Sequence, residues 1–241
     1  MTSLSTTAPI AIAIVFGGSR GIGKSCVQAL LADGYQVGYT YVSAAPTGLA
    51  GRGYQVDIRD AAAVARVFDD VERDFGARAQ VVVANAGINV PGAPMAQFNP
   101  ENLRQLVEVN IVGAFNILAE AARRVQDGGA IVALSSSLVR FPVAGTGPYT
   151  ASKAAVESMV RSMSKELAGR GVRVNAVAPG PVDTDLFNAG KTEEVKQRMA
   201  AFSPFNRIGQ PAEIAEVVRF LVSAKASWVH GQIVQPNGGQ I

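Results

Sequence analysis

The sequence has few of the residues that build disulfides or metal sites: its 241 residues include one cysteine and one histidine. A single cysteine excludes an internal disulfide, and the two residues together supply too few ligands for a structural zinc site. Charged residues are also sparse at 17%, whereas 48% of the residues are hydrophobic. This composition argues against a disordered chain and is sufficient for a substantial core.

Clustered positive charge and long apolar segments are missing as well. The net charge is +3, and the longest basic run is the pair Arg123–Arg124, whereas nucleic-acid-binding surfaces carry a basic stripe. No apolar segment approaches the length of a membrane span. The apolar residues 8–15 lack a preceding Lys or Arg and lead directly into a glycine-rich turn, which favours a buried strand over a signal peptide. We therefore expect a cytoplasmic protein without nucleic-acid or membrane partners.

Short apolar segments alternate with helical patterns along the chain. The predicted strands are 10–16, 36–42, 54–56, 81–84, 130–134, 172–177 and 232–234, and the predicted helices are 22–31, 61–75, 100–125, 149–168 and 213–222. This alternation predicts one α/β domain over 1–241, a Rossmann fold with a doubly wound parallel sheet of about seven strands and helices on both faces. Ligands bind at the carboxyl ends of such strands, so we expect the loops 87–99, 136–148 and 179–210 to form a site.

A glycine-rich turn lies between the first predicted strand and the first predicted helix. Glycine permits the tight turn and lets the backbone approach a pyrophosphate, which the positive end of the following helix attracts. The same glycines also fit a turn that serves only helix–strand packing, but the flanking strand and helix favour dinucleotide binding. The candidate cofactor residues of this turn are Gly17, Ser19, Arg20, Gly21, Ile22 and Gly23.

The end of the second predicted strand indicates which dinucleotide binds. NAD-binding proteins of this type usually place an acidic residue there for the ribose hydroxyls, but here the residues are Tyr41, Val42 and Ser43. Arg20 in the glycine turn and Ser43 are suited to the additional phosphate of NADP, which a carboxylate would repel. The alternative for Arg20 is a solvated surface arginine. The sequence therefore predicts NADP(H) rather than NAD(H).

Three polar residues suggest acid/base chemistry. Ser136 follows the predicted strand 130–134, and Tyr149 and Lys153 lie one turn apart on one face of the next helix. A tyrosine pKa of roughly 10 is too high for a base near neutral pH, and a nearby ammonium lowers it. Ser136 is placed to hydrogen-bond a carbonyl oxygen as charge develops there. Ser135 and Ser137 remain rivals for that role, and a solvated Tyr–Lys pair is the alternative reading.

Together these motifs resemble those of the short-chain dehydrogenase/reductase family over residues 10–239. The matched segments are Gly-Gly-Ser-Arg-Gly-Ile-Gly at 17–23, Asp57, Asn-Ala-Gly at 85–87, Asn110, Ser136, Tyr149, Lys153, Pro-Gly-Pro-Val-Asp-Thr at 179–184 and Asn-Gly-Gly at 237–239. Three features depart from the family pattern. Phe16 replaces the usual threonine before the first glycine, Ala84 replaces the usual asparagine, and the segment 43–53 is too short for a full second helix.

The resemblance implies catalytic and cofactor-binding roles. It makes Tyr149 the proton donor in reduction and the base in oxidation, and Ser136 the residue that orients the substrate oxygen. It assigns Lys153 to lowering the tyrosine pKa and holding the nicotinamide ribose, and Asn110 to supporting a water between Lys153 and solvent. The further implied cofactor contacts are Asp57 and Ile58 beside the adenine, Asn85, Ala86 and Gly87 on the ribose side, and Pro179, Gly180, Val182 and Thr184 around the nicotinamide amide.

The implied reaction is NADP(H)-dependent reduction of a ketone to a secondary alcohol, as in ketoreductases and 3-oxoacyl-carrier-protein reductases. A carrier-bound acyl thioester is left open as the substrate, with Arg123, Arg124 and Arg170 as candidates to meet an acidic carrier protein. The alternatives are a dehydrogenase that oxidises a sugar, a steroid or a small alcohol, and a dinucleotide sensor without turnover. The resemblance also implies a homotetramer built on the helices 100–126 and 149–169 and on the C-terminal segment.

Several other side chains have open interpretations. The loop 184–207 is expected to cover the substrate, and its apolar residues Phe187, Met199 and Phe202 either contact substrate or only pack within the loop. Cys26 is predicted to lie in the core and His230 at the surface or an interface. Trp228 is expected either to lie in the core or to contact another subunit.

Overall fold

The computed structural model describes residues 11–240 and shows a seven-stranded, wholly parallel sheet in the order β3-β2-β1-β4-β5-β6-β7. The strands are β1 Ile12–Phe16, β2 Gln36–Tyr41, β3 Arg52–Gln55, β4 Val81–Ala84, β5 Ala130–Leu134, β6 Arg173–Val177 and β7 Ile233–Val234. The order reverses between β1 and β4, which opens a crevice at their carboxyl ends. The predicted fold class is confirmed; residue 10, predicted as the start of β1, lies outside the described residues.

Eight α-helices and one π-helix are described between residues 11 and 240. They are α1 Gly21–Ala32, α2 Ala61–Phe75, α3 Pro100–Leu106, the π-helix Val107–Gly113, α4 Ala114–Arg124, α5 Gly147–Leu167, α6 Asp185–Asn188, α7 Glu193–Ala200 and α8 Pro211–Val222. Four short 3-10 turns lie at Met95–Gln97, Ser137–Val139, Ala168–Arg170 and Ala224–Ala226. None of these helices combines the length and apolar character that a membrane span requires.

The sheet is covered on both faces because successive side chains of a strand point to opposite sides. Ile12, Ile14 and Phe16 of β1 pack into the layer that contains α2, α4 and α5. Ala13 and Val15 face the opposite layer, which contains α1 and α8. All five residues of β1 are inaccessible to solvent. A rigid sheet thus holds the loops at the carboxyl ends of β1, β4, β5 and β6.

The predicted single helix 100–125 is interrupted by the π-helix Val107–Gly113. A wider π turn changes the direction in which side chains point, and apolar periodicity alone does not reveal it. The π turn contains Asn110, which is buried. The helix predicted to begin at 149 begins instead at Gly147, because Pro148 suits the first turn of a helix.

The structure accounts for the replacement of threonine by Phe16. The Phe16 ring is buried against Phe68, with 5.7 Å between the ring centroids. Thr40 on β2 supplies a hydroxyl to this turn, since its Oγ1 accepts a hydrogen bond of 2.9 Å from the Gly17 amide. A neighbouring strand thus holds the glycine turn.

The segment 43–53 contains no helix, as predicted. Cys26 is buried in the core, also as predicted. Trp228 is 98% exposed, which excludes the core and leaves subunit contact as the remaining interpretation. His230 is half-buried and held within the fold: Nδ1 accepts from the Val174 amide at 3.2 Å, and Nε2 lies 2.6 Å from the Ser164 carbonyl oxygen.

Candidate active site

The carboxyl end of β5 and the first turns of α5 form the centre of the site. Tyr149 and Lys153 lie one turn apart on α5 and face a cavity of about 90 Å³. Asn85 and Gly87, which follow β4, line the other side of this cavity. The remaining lining residues are Ile22, Ile88, Leu134, Ser135, Pro179 and Leu186. The fold therefore brings six of the predicted site residues, from four separate segments, around one cavity.

Among the three consecutive serines after β5, Ser136 is the one whose hydroxyl acts on the Tyr149 phenol, lowering its pKa, and its Oγ also accepts from the Leu138 amide at 3.3 Å. The neighbouring hydroxyls have other partners. Ser135 donates to the Glu157 carboxylate at 2.8 Å, and Ser137 donates to the Gln240 side chain at 3.1 Å. The geometry therefore favours Ser136 over both rivals as the residue that orients a substrate oxygen.

Burial controls the pKa values of the Tyr–Lys pair. It raises the pKa of Tyr149 to about 12, although the hydrogen bond with Ser136 acts to lower it. Burial also lowers the pKa of Lys153 to about 8. The Lys153 ammonium donates to the Leu134 carbonyl at 3.0 Å. The expected lowering of the tyrosine pKa by Lys153 is therefore not seen, because desolvation dominates and the ammonium points at a backbone oxygen.

The lowered Lys153 pKa predicts how stability without cofactor changes with pH. A buried ammonium with a folded-state pKa of about 8 destabilises the fold at lower pH, and the penalty disappears as pH rises toward the unfolded-state pKa of roughly 10.4. The free energy of unfolding should therefore rise by up to about 3 kcal/mol over this range relative to Lys153→Met. Urea denaturation of both proteins at several pH values measures the difference. Parallel pH curves for the two proteins would contradict this prediction.

Asn110 fixes the loop after β4. Its Oδ1 accepts from the Ile88 amide at 2.8 Å, and its Nδ2 donates to the Ile88 carbonyl at 2.9 Å and to Ser152 Oγ at 3.1 Å. A Cβ at Gly87 would lie 3.1 Å from Asn110 Oδ1 and 3.3 Å from Lys153 Nζ. The amide is thus satisfied by its neighbours, and its support of a water molecule stays a prediction.

The glycine turn is bonded to the strands on both sides. Asn85 Nδ2 donates to the Gly17 carbonyl at 2.8 Å, while Thr40 holds the Gly17 amide. Gly17 and Gly21 have φ values of +73° and +52°, which favour glycine. A Cβ at Gly23 would lie only 2.1 Å from the Gly17 carbonyl oxygen. The turn is therefore a bare backbone cradle at the start of α1, as a pyrophosphate requires.

The residues predicted for the adenosine side lie in the glycine turn and at the ends of β2 and β3. Arg20 and Ser43 are exposed, and Tyr41 is half-buried at the end of β2. Asp57 is already paired with Arg59, a cation that sequence reasoning missed, and this pairing lowers the pKa of the Asp57 carboxyl. The next residue, Ile58, is buried, and Asn116 Nδ2 donates to its carbonyl at 2.9 Å.

The residues predicted around the nicotinamide amide form the loop after β6. The Pro179 carbonyl accepts from the Ser137 amide at 2.9 Å, which ties this loop to the serine run. A Cβ at Gly180 would lie 2.9 Å from Asn237 Cα, and Val182 is buried. Thr184 caps α6 and lies against Gly21 of the glycine turn. This loop therefore links the glycine turn to the catalytic serines.

The three apolar residues of the segment 184–207 have different surroundings. The Phe202 ring makes an edge contact with Phe141, at 5.7 Å between centroids, and so touches the loop that leads from Ser136 to Tyr149. Phe187 lies under the Lys191 ammonium, 4.7 Å from the ring centroid. Met199 lines a separate cavity of about 170 Å³ between this segment and the C-terminal residues.

Besides Arg59, sequence reasoning missed three supporting residues: Thr40, Ser152 and Glu157. Thr40 and Ser152 act through single hydrogen bonds to Gly17 and Asn110, for which no sequence motif exists. Glu157 gave a signal that was usable, because it lies four residues after Lys153 on the same helix face.

Comparison with known proteins agrees with this geometry. The sequence profile of the enoyl-(acyl carrier protein) reductase family matches residues 17–240. An NADPH-dependent aldehyde reductase-like protein of Arabidopsis thaliana is 37% identical, over 95% of this chain and 94% of its own. The 3-oxoacyl-(acyl-carrier-protein) reductase MabA of Mycobacterium tuberculosis is 38% identical, over 94% of this chain and 91% of its own. The structure of a short-chain dehydrogenase of Burkholderia cenocepacia, solved with NADP, superposes with a TM-score of 0.87 at 30% identity. The superposition covers 95% of this chain and 97% of the other.

The chain belongs to the short-chain dehydrogenase/reductase family of oxidoreductases. The family predicted from the sequence motifs is therefore confirmed.

Proposed function

We propose that this protein is an NADP(H)-dependent reductase that converts a ketone to a secondary alcohol, with Tyr149 as the proton donor. The observation that carries the proposal is that Tyr149 and Lys153 line one cavity, which also borders the ends of β4 and β6, and that the Ser136 hydroxyl acts on the Tyr149 phenol. A non-catalytic nucleotide sensor has no need of this arrangement. We propose one domain over 1–241, with the segment 184–207 as the cover of the substrate.

The proposed cofactor is NADP(H), because the chain offers a cradle for a dinucleotide and no carboxylate at residues 41–43. Arg20 and Ser43 are the residues proposed to hold the ribose phosphate. The similarity to an NADPH-dependent aldehyde reductase-like protein and to structures solved with NADP and with NADPH supports this choice. When bound, the cofactor supplies the hydride that reaches the carbonyl carbon.

The side chains supply position and a proton. The Ser136 and Tyr149 hydroxyls hydrogen-bond the substrate oxygen, and the phenol transfers its proton to that oxygen as the alcohol forms. Its high pKa of about 12 keeps the phenol protonated at neutral pH, which suits reduction. Lys153 is buried one helical turn away and donates to the Leu134 carbonyl in this structure. Its ammonium is the cation proposed to turn toward the phenolate once the proton has left and to stabilise it until a proton returns from solvent.

The partners of the surface arginines favour a free small molecule over a carrier-bound substrate. The three candidate arginines for a carrier protein have partners within the chain: Arg123 pairs with Glu120, Arg124 with Asp69 and Glu72, and Arg170 with Asp127. Arg170 also donates to the backbone carbonyls of Ala122 and Val125 at the end of α4. These contacts favour a structural role. Oxidation of a sugar, steroid or alcohol is the second candidate, since the same groups serve both directions.

NADPH consumption with ketones, aldehydes, β-keto esters and acyl thioesters tests the proposal, with NADH in parallel. Turnover of free carbonyl compounds with NADPH is the expected result. Tight NADPH binding without turnover of any compound in either direction would favour the sensor instead.

Ser43→Asp should reverse the cofactor preference. A carboxylate at this position repels the 2′-phosphate of NADPH and accepts hydrogen bonds from the ribose hydroxyls of NADH. The KM for NADPH should rise about 10-fold or more, from one unfavourable charge pair near the surface. Ser43→Asn is the matched control, since it changes size similarly without adding charge. If the Asp and Asn variants bind NADPH equally well, Ser43 does not face the phosphate.

We also propose a cytoplasmic homotetramer. Val112 and Phe115 are exposed on the helical segment 100–124, and Trp228 is exposed near the C-terminus, which fits burial between subunits. Light scattering should give the mass of a tetramer; a monomer would contradict it.

A further inference from the structure

Glu157 is a buried carboxylate on the helix face that carries Tyr149 and Lys153. The three residues follow one another at intervals of four, so they lie in one row along α5. Glu157 is only 1% exposed. Buried carboxylates are costly unless they are paired and hydrogen-bonded, so its partners are informative.

The partners of Glu157 come mainly from the chain that follows β5. Oε1 accepts from Ser135 Oγ at 2.8 Å and from an Arg140 guanidinium nitrogen at 2.9 Å. Ser135 Oγ also lies 3.5 Å from the Lys153 carbonyl oxygen. Ser135 directly precedes Ser136, and Arg140 ends the short turn that begins after it. The two sides of Ser136 are thus attached to one carboxylate on α5.

The third partner has a different position. Arg161 donates to Oε2 at 3.1 Å from one turn further along α5 itself. It therefore adds charge to the cluster without connecting α5 to another element. Lys153 does not use this carboxylate as its hydrogen-bond partner, since its ammonium donates to the Leu134 carbonyl.

We propose that Glu157, with Ser135 and Arg140, is a positioning residue that sets the distance between Ser136 and Tyr149. This proposal rests on the proposed function, in which both hydroxyls hold the substrate oxygen. The carboxylate anchors the strand end and the following turn to the helix, so that Ser136 keeps its position beside Tyr149. Glu157 itself does not contact the reacting atoms.

Arg140→Ala and Arg161→Ala form a matched pair, because each removes one guanidinium from the same carboxylate. Arg140→Ala should lower kcat about 10-fold through misplacement of Ser136 while the KM for NADPH is unchanged. Arg161→Ala should change kcat by no more than about 2-fold, because this i,i+4 pair lies within α5 and connects Glu157 to no other element. Arg140→Lys should recover part of the lost rate. Equal rates for the two alanine variants would overturn the proposal.

A second readout does not depend on turnover. The chain has five tyrosines, so NMR of ring-labelled tyrosine resolves Tyr149, identified by its loss in Tyr149→Phe. Arg140→Ala should move the Tyr149 signal in the direction seen with Ser136→Ala, whereas Arg161→Ala should leave it in place. A Tyr149 signal that is unchanged from wild type in Arg140→Ala would overturn the positioning role. If the wild-type protein shows no turnover but Arg140→Ala still moves the Tyr149 signal, the positioning role is supported and the proposed reaction is overturned.

Discussion

Tyr149→Phe should reduce the rate of carbonyl reduction by about 1000-fold, within the range that a positioned general acid contributes. The substitution removes only the hydroxyl that donates the proton, and phenylalanine fills the same space in α5. NADPH binding should stay within about 2-fold of wild type, because the glycine cradle lies on β1 and α1. Stopped-flow measurement of NADPH oxidation and a fluorescence titration of NADPH give the two quantities.

Tyr54→Phe is the matched control for this experiment. Its hydroxyl donates to Asp74 at 2.9 Å, on α2 and away from the catalytic cavity. Its loss should cost about 1 kcal/mol of stability, the typical net value of a hydrogen bond, and leave kcat unchanged. If Tyr149→Phe retains wild-type kcat, another group delivers the proton and the proposed mechanism is wrong.

Gly23→Ala should eliminate NADPH binding and destabilise the fold. The added methyl would lie 2.1 Å from the Gly17 carbonyl oxygen and 2.5 Å from Asn85 Nδ2. Relief of this overlap must displace the glycine turn from β4, at a cost of about 3 kcal/mol. The melting temperature should therefore fall by roughly 6–12 °C for a protein of this size.

Gly169→Ala provides the comparison for this effect. A Cβ at Gly169 has no heavy atom within 4 Å, and its backbone needs no positive φ. Calorimetry and NADPH titration should find this variant close to wild type. Normal NADPH affinity in Gly23→Ala would show that the turn does not hold the dinucleotide.

The fold was accessible from the sequence because its central strands β1, β4 and β5 are continuous apolar runs. β4 and β5 match their predicted limits, and α2 matches as well. The π-helix was not accessible, since the pattern of apolar residues around Asn110 is also that of an α-helix. Trp228 could not be placed because its exposure depends on tertiary packing at the last turns of the chain.

The candidate site was predictable where spacing encodes geometry. Tyr149 and Lys153 share a helix face because residues four apart in a helix always do. The glycine turn was recognisable by its flanking strand and helix. The choice among three adjacent serines depends instead on which hydroxyl the end of β5 directs toward Tyr149, since Ser135 also faces α5 but bonds to Glu157. Likewise, the pKa values of Tyr149 and Lys153 follow from burial, which the sequence does not specify. The contact between Thr40 and Gly17 joins residues 23 apart in sequence.

Transfer of deuterium from NADPH that carries deuterium in place of both hydrogens on the reactive carbon of the nicotinamide tests the central claim most directly. The protein is incubated with labelled NADPH and a mixture of free ketones and aldehydes, and mass spectrometry identifies any alcohol that has gained the label. Deuterium at the former carbonyl carbon of a ketone-derived alcohol, absent with Tyr149→Phe, is the predicted result. Oxidation of NADPH without label in any alcohol, or equal labelling by the variant, would contradict the account.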